Sequence, residues 1–115
     1  MPYSRGDVVL VLFPNSDLRT AKRRPALVIQ ANDLNTGLPQ IIIAMISSNM
    51  ARANHPSRVS VKLGSALGNQ AKLLTDSVIM TDNLVTVRER EIDRALGKII
   101  DMSLIDQALR HTLAL

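Results

Sequence analysis

The sequence predicts a mainly β (α+β) domain over residues 1–115: a small, strongly curved barrel of five to seven short strands followed by a C-terminal helix. Two observations lead to this prediction. Short apolar runs recur along most of the chain, separated by segments rich in Pro, Gly, Asn and Asp. The hydrophobic period then changes, and the last segment has apolar side chains at helical spacing. We find no internal repeat and no linker.

The strands follow from the apolar runs, taken in chain order. We predict them at Asp7–Phe13, Pro25–Gln30, Gln40–Ser47, Ser57–Leu63, Asp76–Met80 and Leu84–Val87. Gln40–Ser47 is the most hydrophobic and should be central, whereas Ser57–Leu63 alternates polar with apolar residues, as half-exposed strands do. Loops are expected between the strands, at Pro14–Lys22, Ala31–Pro39, Ser48–Pro56 and Gly64–Lys72.

Helical spacing is confined to the last part of the chain. Glu91–Leu96 predicts one or two helical turns ended by Gly97 as a C-cap, and Lys98–Ile100 predicts a short strand. The last helix has a predicted apolar face of Leu104, Ile105, Ala108, Leu109, Thr112 and Leu113, opposite Asp106, Gln107, Arg110 and His111. Ser103 and Asp106 have the spacing of a capping box.

The charge is uneven along the chain. Residues 1–75 carry nine Lys or Arg against three Asp, and residues 76–115 carry five against seven acidic residues, which gives +6 and −2 within the net charge of +4. A basic front half suits a polyanionic partner such as RNA, DNA or an acidic peptide, although a solvated basic surface is the alternative. With only Tyr3 and Phe13 as aromatic residues, base stacking on aromatic rings is not expected.

Several classes of site and location are excluded by composition. The chain has no cysteine, so it has no disulfide, thiolate zinc site or cysteine nucleophile. His55 and His111 lack metal-binding spacing, and no metal or cofactor is expected. The N-terminus does not resemble a signal peptide, and the longest apolar run, Ile41–Ile46, is too short to span a bilayer. We therefore expect a soluble, cytoplasmic protein.

Cations and hydroxyls gather where predicted strands begin or end. Lys22, Arg23 and Arg24 run directly into the strand at Pro25, and the central strand ends at Ser47-Ser48. Such positions allow a rigid sheet to aim side chains into a cleft. The three consecutive cations indicate an anionic partner, with a solvated basic turn as the alternative.

Five short segments in this order resemble the MazF/PemK toxins over nearly the whole chain. Gly6–Val9 reads Gly-Asp-Val-Val, Arg24–Val28 reads Arg-Pro-Ala-Leu-Val, and Ile42–Ser48 is a hydrophobic strand that ends in two serines. Asp76–Val78 and Asn83–Thr86 match the later Asp-Ser-Val strand and its following segment.

The resemblance implies an SH3-like barrel that acts as a metal-independent, sequence-selective endoribonuclease (mRNA interferase). Such a toxin cleaves single-stranded RNA to a 2′,3′-cyclic phosphate and a 5′-OH. It implies that Arg24 is the catalytic arginine and that Ser47 occupies the catalytic threonine position. The remaining expected substrate-binding residues are Arg19, Lys22, Arg23, Ser48, His55 and Asn83. It also implies a homodimer and a small antitoxin partner with an acidic C-terminal tail.

Departures from the family pattern leave alternatives open. Ser47 replaces the threonine, Asn83 stands where many members have Gln, and Val85 stands where many have Arg. One alternative is therefore a catalytically weak or inactive nucleic-acid-binding barrel. Another is a CcdB-like gyrase-binding toxin, which the aromatic-free ending Leu113–Leu115 disfavours. An SH3-like protein-interaction barrel would need an aromatic groove that this chain lacks.

Overall fold

A computed structural model describes residues 2–14 and 19–115 of the protein, so residues 15–18 of the predicted loop Pro14–Lys22 lie outside it. The strands are β1 (Asp7–Pro14), β2 (Ala21–Val28), β3 (Gln40–Ser47), β4 (Arg58–Val61), β5 (Ser77–Arg88) and β6 (Ile92–Lys98). The helices are α1 (Ala66–Ala71) and α2 (Ser103–Leu113), and Glu89–Glu91 form a 3-10 turn. The predicted SH3-like, mainly β fold with a C-terminal helix is confirmed.

The six strands form one antiparallel sheet in the order β4-β5-β3-β2-β1-β6. The central β3 has the bounds predicted from its isoleucine-rich run. Because side chains alternate between the faces of a strand, the sheet buries aliphatic residues on both faces. One cluster packs under α2 and includes Val8, Leu27 and Ile105, and the other includes Val9, Ala26 and Ile43. Each fully buried Leu or Ile contributes about 1.5–3 kcal/mol.

One long strand replaces the two strands predicted at Asp76–Met80 and Leu84–Val87. Ala44 of β3 pairs with Leu84, but the next residue, Met45, pairs with Met80, so residues 81–83 bulge out of the β3–β5 ladder. Thr81 of this bulge is fully buried. Its hydroxyl donates a 2.5 Å hydrogen bond to the Ser57 carbonyl oxygen.

The predictions for residues 91–100 were wrong. Ile92–Lys98 form the edge strand β6, which pairs with β1, and residues 99–100 are not a strand. Gly97 lies inside β6 and is not a C-cap. A Cβ there would collide with the carbonyl oxygen of Gln70, so the glycine permits close packing of α1 on β6.

The predicted loop Gly64–Lys72 contains the short helix α1. Ser65 caps it, because its Oγ accepts a 3.0 Å hydrogen bond from the Gly68 N–H. The helix ends at Lys72, whose φ of 56° and ψ of 38° are left-handed. With a glycine and an asparagine among its six residues, α1 has low intrinsic propensity and depends on tertiary packing.

The terminal helix α2 is present as predicted, but its N-terminus is held differently. Ser103 and Asp106 form no capping box, since Asp101 Oδ1 accepts a 3.0 Å bond from the Ser103 N–H. Asp106 instead accepts a hydrogen bond from Arg5 Nη2 at 2.5 Å. Of the predicted apolar face, Ile105 and Ala108 are buried, Leu109 and Thr112 are half-buried, and Leu104 and Leu113 are exposed. No helix within residues 2–14 and 19–115 is long and apolar enough to cross a membrane.

Candidate active site

Arg24 and Ser47 lie just beyond the point where the β2–β3 ladder stops. The two strands pair at Ala26 with Met45, and no pair of the described residues continues this ladder toward Arg24. Arg24 and Ser47 are each two residues beyond that last pair, one on each strand. Pro25 lies at this boundary, where its missing N–H costs no ladder hydrogen bond. Because strand side chains alternate, Arg24 and Ser47 share the face of the paired Ala26 and Met45.

A groove of about 540 Å³ opens where the two strands separate, and both residues line it. This volume is within the range of small-ligand sites. Three further residues predicted to bind substrate, Lys22, Ser48 and Asn83, also line the groove. Strand β2 begins at Ala21, four residues before the predicted start at Pro25. Lys22, Arg23 and Arg24 are therefore strand residues, and Lys22 lies close enough to line the groove.

The groove is strongly basic. Four cationic residues line it, Lys22, Arg24, Lys72 and Arg94, and no Asp or Glu of the described residues does so. Within residues 2–14 and 19–115 these four side chains form no ion pair or hydrogen bond. Their unneutralised charges give the groove a positive potential that attracts anions. Its apolar lining includes Met45 and Met80.

The Ser47 hydroxyl is held in place by its own turn. Its Oγ accepts a 3.0 Å hydrogen bond from the backbone N–H of Asn49. This bond restricts the side-chain rotamer, which the methyl of a threonine would otherwise restrict. The hydroxyl proton is left available to a ligand in the groove.

The structure does not bring three predicted residues, Arg19, Arg23 and His55, to the groove. Arg23 alternates with Lys22 and Arg24 along β2, and its Nε forms a 3.0 Å ion pair with Asp93. His55 Nδ1 lies 2.7 Å from Ser57 Oγ, and the His55 ring meets the ring of His111 edge-on at 6.2 Å.

Four polar groove residues were missed by the sequence analysis: Lys72, Thr75, Ser77 and Arg94. Lys72 was assigned to a loop and Arg94 to a helical turn. Lys72 and Arg94 line the groove because α1 packs on β6. No local sequence pattern predicts this packing. Ser77 was assigned to a strand, and its hydroxyl donates to the Thr75 carbonyl at 3.0 Å.

The carboxyl group of Asp82 has a lowered pKa and lies next to groove residue Asn83, although Asp82 itself does not line the groove. The guanidinium of Arg58 lowers the pKa of Asp82 below the ordinary 3.8, through hydrogen bonds of 3.2 and 3.1 Å. Asp82 belongs to the bulge that also carries Asn83, so this ion pair ties the bulge to β4. No cluster of three or more His, Asp or Glu within the described ranges could hold a metal ion.

Comparisons with known proteins agree on one family. Residues 4–113 match the family described as PemK-like, MazF-like toxin of type II toxin-antitoxin system. The chain is 33% identical over 119 aligned residues to endoribonuclease MazF2 of Mycobacterium bovis, with all of both chains covered.

Solved structures share the fold. A mycobacterial endoribonuclease in complex with its cognate antitoxin aligns with a TM-score of 0.72 at 22% identity, covering 98% of this chain and 96% of that one. The Mycobacterium tuberculosis toxin MazF-mt6 aligns with a TM-score of 0.73 at 18% identity, covering 95% and 97%. Since the sequence matches extend over nearly the whole chain, this protein belongs to the PemK-like, MazF-like toxins of type II toxin–antitoxin systems.

Proposed function

We propose that the protein is a metal-independent, sequence-selective endoribonuclease toxin that cleaves single-stranded RNA in the groove between β2 and β3. The observation that carries the proposal is that Arg24 and Ser47 line one groove, in which none of the described lining residues is acidic. A cation without a protein counter-ion at such a place is suited to a phosphate.

The reaction needs little from the protein, because RNA carries its own nucleophile. The 2′-OH loses its proton and attacks the adjacent phosphorus, a 2′-O–P bond forms, and the P–O5′ bond breaks. The 5′ oxygen takes up a proton, which leaves a 2′,3′-cyclic phosphate and a 5′-OH. The enzyme has to hold the attacking and leaving oxygens in line and stabilise the charge that grows on the phosphate.

Arg24 is the residue proposed to stabilise that charge. Its planar fork can donate two hydrogen bonds to the non-bridging oxygens. Ser47 is proposed to hydrogen-bond the phosphate or orient the 2′-OH. Lys22, Ser48 and Asn83 line the same groove and are proposed to bind the neighbouring nucleotides. Any contact of Arg19, Arg23 or His55 with RNA would lie outside the groove.

The antitoxin is proposed to be a small protein whose acidic C-terminal tail occupies the same basic groove. An acidic peptide would neutralise the cations that otherwise attract RNA, and so exclude the substrate. A relative has been solved with its cognate antitoxin, which supports a partner of this kind. We also propose a cytoplasmic homodimer. Light scattering that finds a stable monomer at micromolar concentration would contradict the dimer.

The proposal is tested by incubating the purified protein with single-stranded RNA in excess EDTA and mapping both ends at each cut. Cleavage should proceed without metal and leave a cyclic phosphate and a 5′-OH. DNA of the same sequence should stay intact, because it lacks the 2′-OH. Cleavage that requires added Mg²⁺ would refute the metal-independent mechanism. RNA binding without cleavage would instead support the inactive nucleic-acid-binding barrel.

A further inference from the structure

We propose that Lys72 and Arg94 form a second phosphate-binding wall of the groove, which holds the RNA backbone beside the scissile phosphate. This wall consists of the C-terminal end of α1 and the adjoining part of β6. The inference rests on the proposed function, since it assigns binding residues to the same substrate. It gives the two residues a role in substrate affinity and none in the chemical step.

Strand register sets the distance between the two walls. Arg94 of β6 pairs with Leu10 of β1, and Leu10 pairs with Pro25 of β2, the neighbour of Arg24. Two strand spacings, or roughly 10 Å, therefore separate the backbone of Arg94 from that of Pro25. Arg94 shares the sheet face of Leu10 and Pro25, whereas Arg24 alternates to the other face, and both cations line the groove. A short stretch of single-stranded RNA that follows the groove around the end of the β2–β3 ladder can therefore contact both walls.

Lys72 lies just after α1 and lines the groove. Lys72 follows the last residue of α1 in the left-handed conformation, with φ of 56°, a position that favours Gly or Asn. The lysine side chain has no hydrogen-bond or ion-pair partner in the described part of the chain. Lys72 is exposed at the rim of the groove, so its ammonium group is accessible to an anionic ligand.

The wall is rigid, because α1 is packed against β6 by backbone contacts. The absence of a side chain at Gly97 lets the carbonyl oxygens of Gln70 and Ala71 approach β6 closely. The Gln70 side chain accepts a 2.8 Å hydrogen bond from the Ile100 N–H. These contacts fix the backbone of the helix end that carries Lys72, so the lysine side chain starts from a fixed point at the groove rim.

The groove cations are distinguished by their clustering and not by the lack of an ion pair alone. Outside the groove, five cations also have no ion pair among the described residues: Arg52, Lys62, Arg88, Arg90 and Arg110. Arg5, Arg23, Arg58 and Lys98 each have a carboxylate partner, respectively Asp106, Asp93, Asp82 and Asp7. The groove cations have no such partner among the described residues. An anionic ligand would supply the missing counter-charge at Lys72 and Arg94.

The test measures binding to an RNA that cannot be cut. The probe is a randomised single-stranded oligonucleotide pool with a 2′-methoxy group at every position, which lacks the nucleophile whatever its sequence. Affinity is measured against salt concentration for wild type, Lys72→Gly, Arg94→Gln and the double variant. Arg110→Gln, an exposed cation of α2 outside the groove, is the matched control.

Each groove variant should weaken binding and lower the slope of log affinity against log salt by about 0.7, the loss of one phosphate contact. Lys72→Gly should fold at least as stably as wild type, because glycine suits the left-handed cap. On cleavable RNA the variants should raise KM and leave kcat unchanged. The Arg110→Gln control should match wild type throughout.

Unchanged affinity and slope in both single variants would overturn the inference, as would a fall in kcat with KM unchanged. Failure of the proposed function is recognised separately. If wild type binds the uncut probe but never cleaves RNA, the nuclease proposal fails while weaker binding by the variants still supports the second wall. If wild type does not bind the probe, both proposals fail.

Discussion

Ser47 Oγ accepts a 3.0 Å hydrogen bond from the Asn49 N–H, so a hydroxyl in the groove that Arg24 also lines is fixed by the turn that follows β3. The sequence raised a doubt at this position, because serine lacks the methyl group that restricts threonine. The turn supplies a second way of restricting the rotamer. A serine is therefore compatible with an ordered site.

The role of Ser47 predicts different outcomes for two substitutions. Ser47→Ala removes the hydroxyl and should reduce the RNA cleavage rate by about 10²–10³-fold, as loss of a transition-state hydrogen bond does. Ser47→Thr keeps the hydroxyl and should cleave at least as fast as wild type. Single-turnover cleavage measures both, with circular dichroism as the folding control. A fully active Ser47→Ala variant would remove Ser47 from the site.

The ion pair between Arg58 and Asp82 predicts a pH-dependent stability. Because the pKa of Asp82 is lowered on folding, its carboxylate stabilises the native state above the ordinary 3.8, and this contribution is lost as pH falls through the folded value. Asp82→Asn should lower the Tm at neutral pH, and the difference from wild type should shrink as the pH falls below about 4.

Thermal unfolding across this pH range checks the prediction, with Asp33→Asn as the control. Asp33 is an exposed residue of the loop between β2 and β3, and it has no ion-pair partner among the described residues. An Asp82→Asn difference that stays constant from neutral to acid pH would show that the ion pair is not its source.

Close packing at Gly97 predicts a large effect of a single methyl group. Gly97→Ala places a Cβ against the carbonyl oxygens of Gln70 and Ala71 and should destabilise the fold by about 1–3 kcal/mol, the usual cost of overpacking. Urea unfolding gives the value. Gly37→Ala should lower the free energy of unfolding by less, because a Cβ there meets no atom within 4 Å. The only cost is the backbone strain of an alanine at a φ of +77°. Equal effects at the two glycines would argue against the packing role.

The local pattern of apolar residues was sufficient to predict the bounds of β3, which lies inside the sheet. The isoleucine-rich run of β3 is buried on both faces and has the predicted bounds. The local pattern gave the wrong prediction at residues 91–96, where the structure has most of strand β6. The charged residues and Gly97 are also compatible with a capped helix, so the sequence alone did not separate the two. The deciding interaction is the pairing of Ile92–Lys98 with the free edge of β1, which lies far away in the chain.

In the candidate site, too, some residues could be predicted from local pattern and others depend on contacts between distant segments. That Arg24 and Ser47 line one groove was predictable, because both lie at the ends of recognisable apolar strands. Lys72 and Arg94 were not predictable, because their place in the groove depends on α1 packing against β6. A six-residue helix and an edge strand carry too weak a local signal to reveal that contact.

The most direct test of the central claim is the rate of RNA cleavage by Arg24→Ala in excess EDTA, measured beside wild type and Arg110→Ala. If the guanidinium stabilises the charge on the scissile phosphate, Arg24→Ala should fold normally and cleave at least about 10²–10³-fold more slowly. Arg110→Ala should retain the wild-type rate. Cleavage by Arg24→Ala at the wild-type rate would contradict the account.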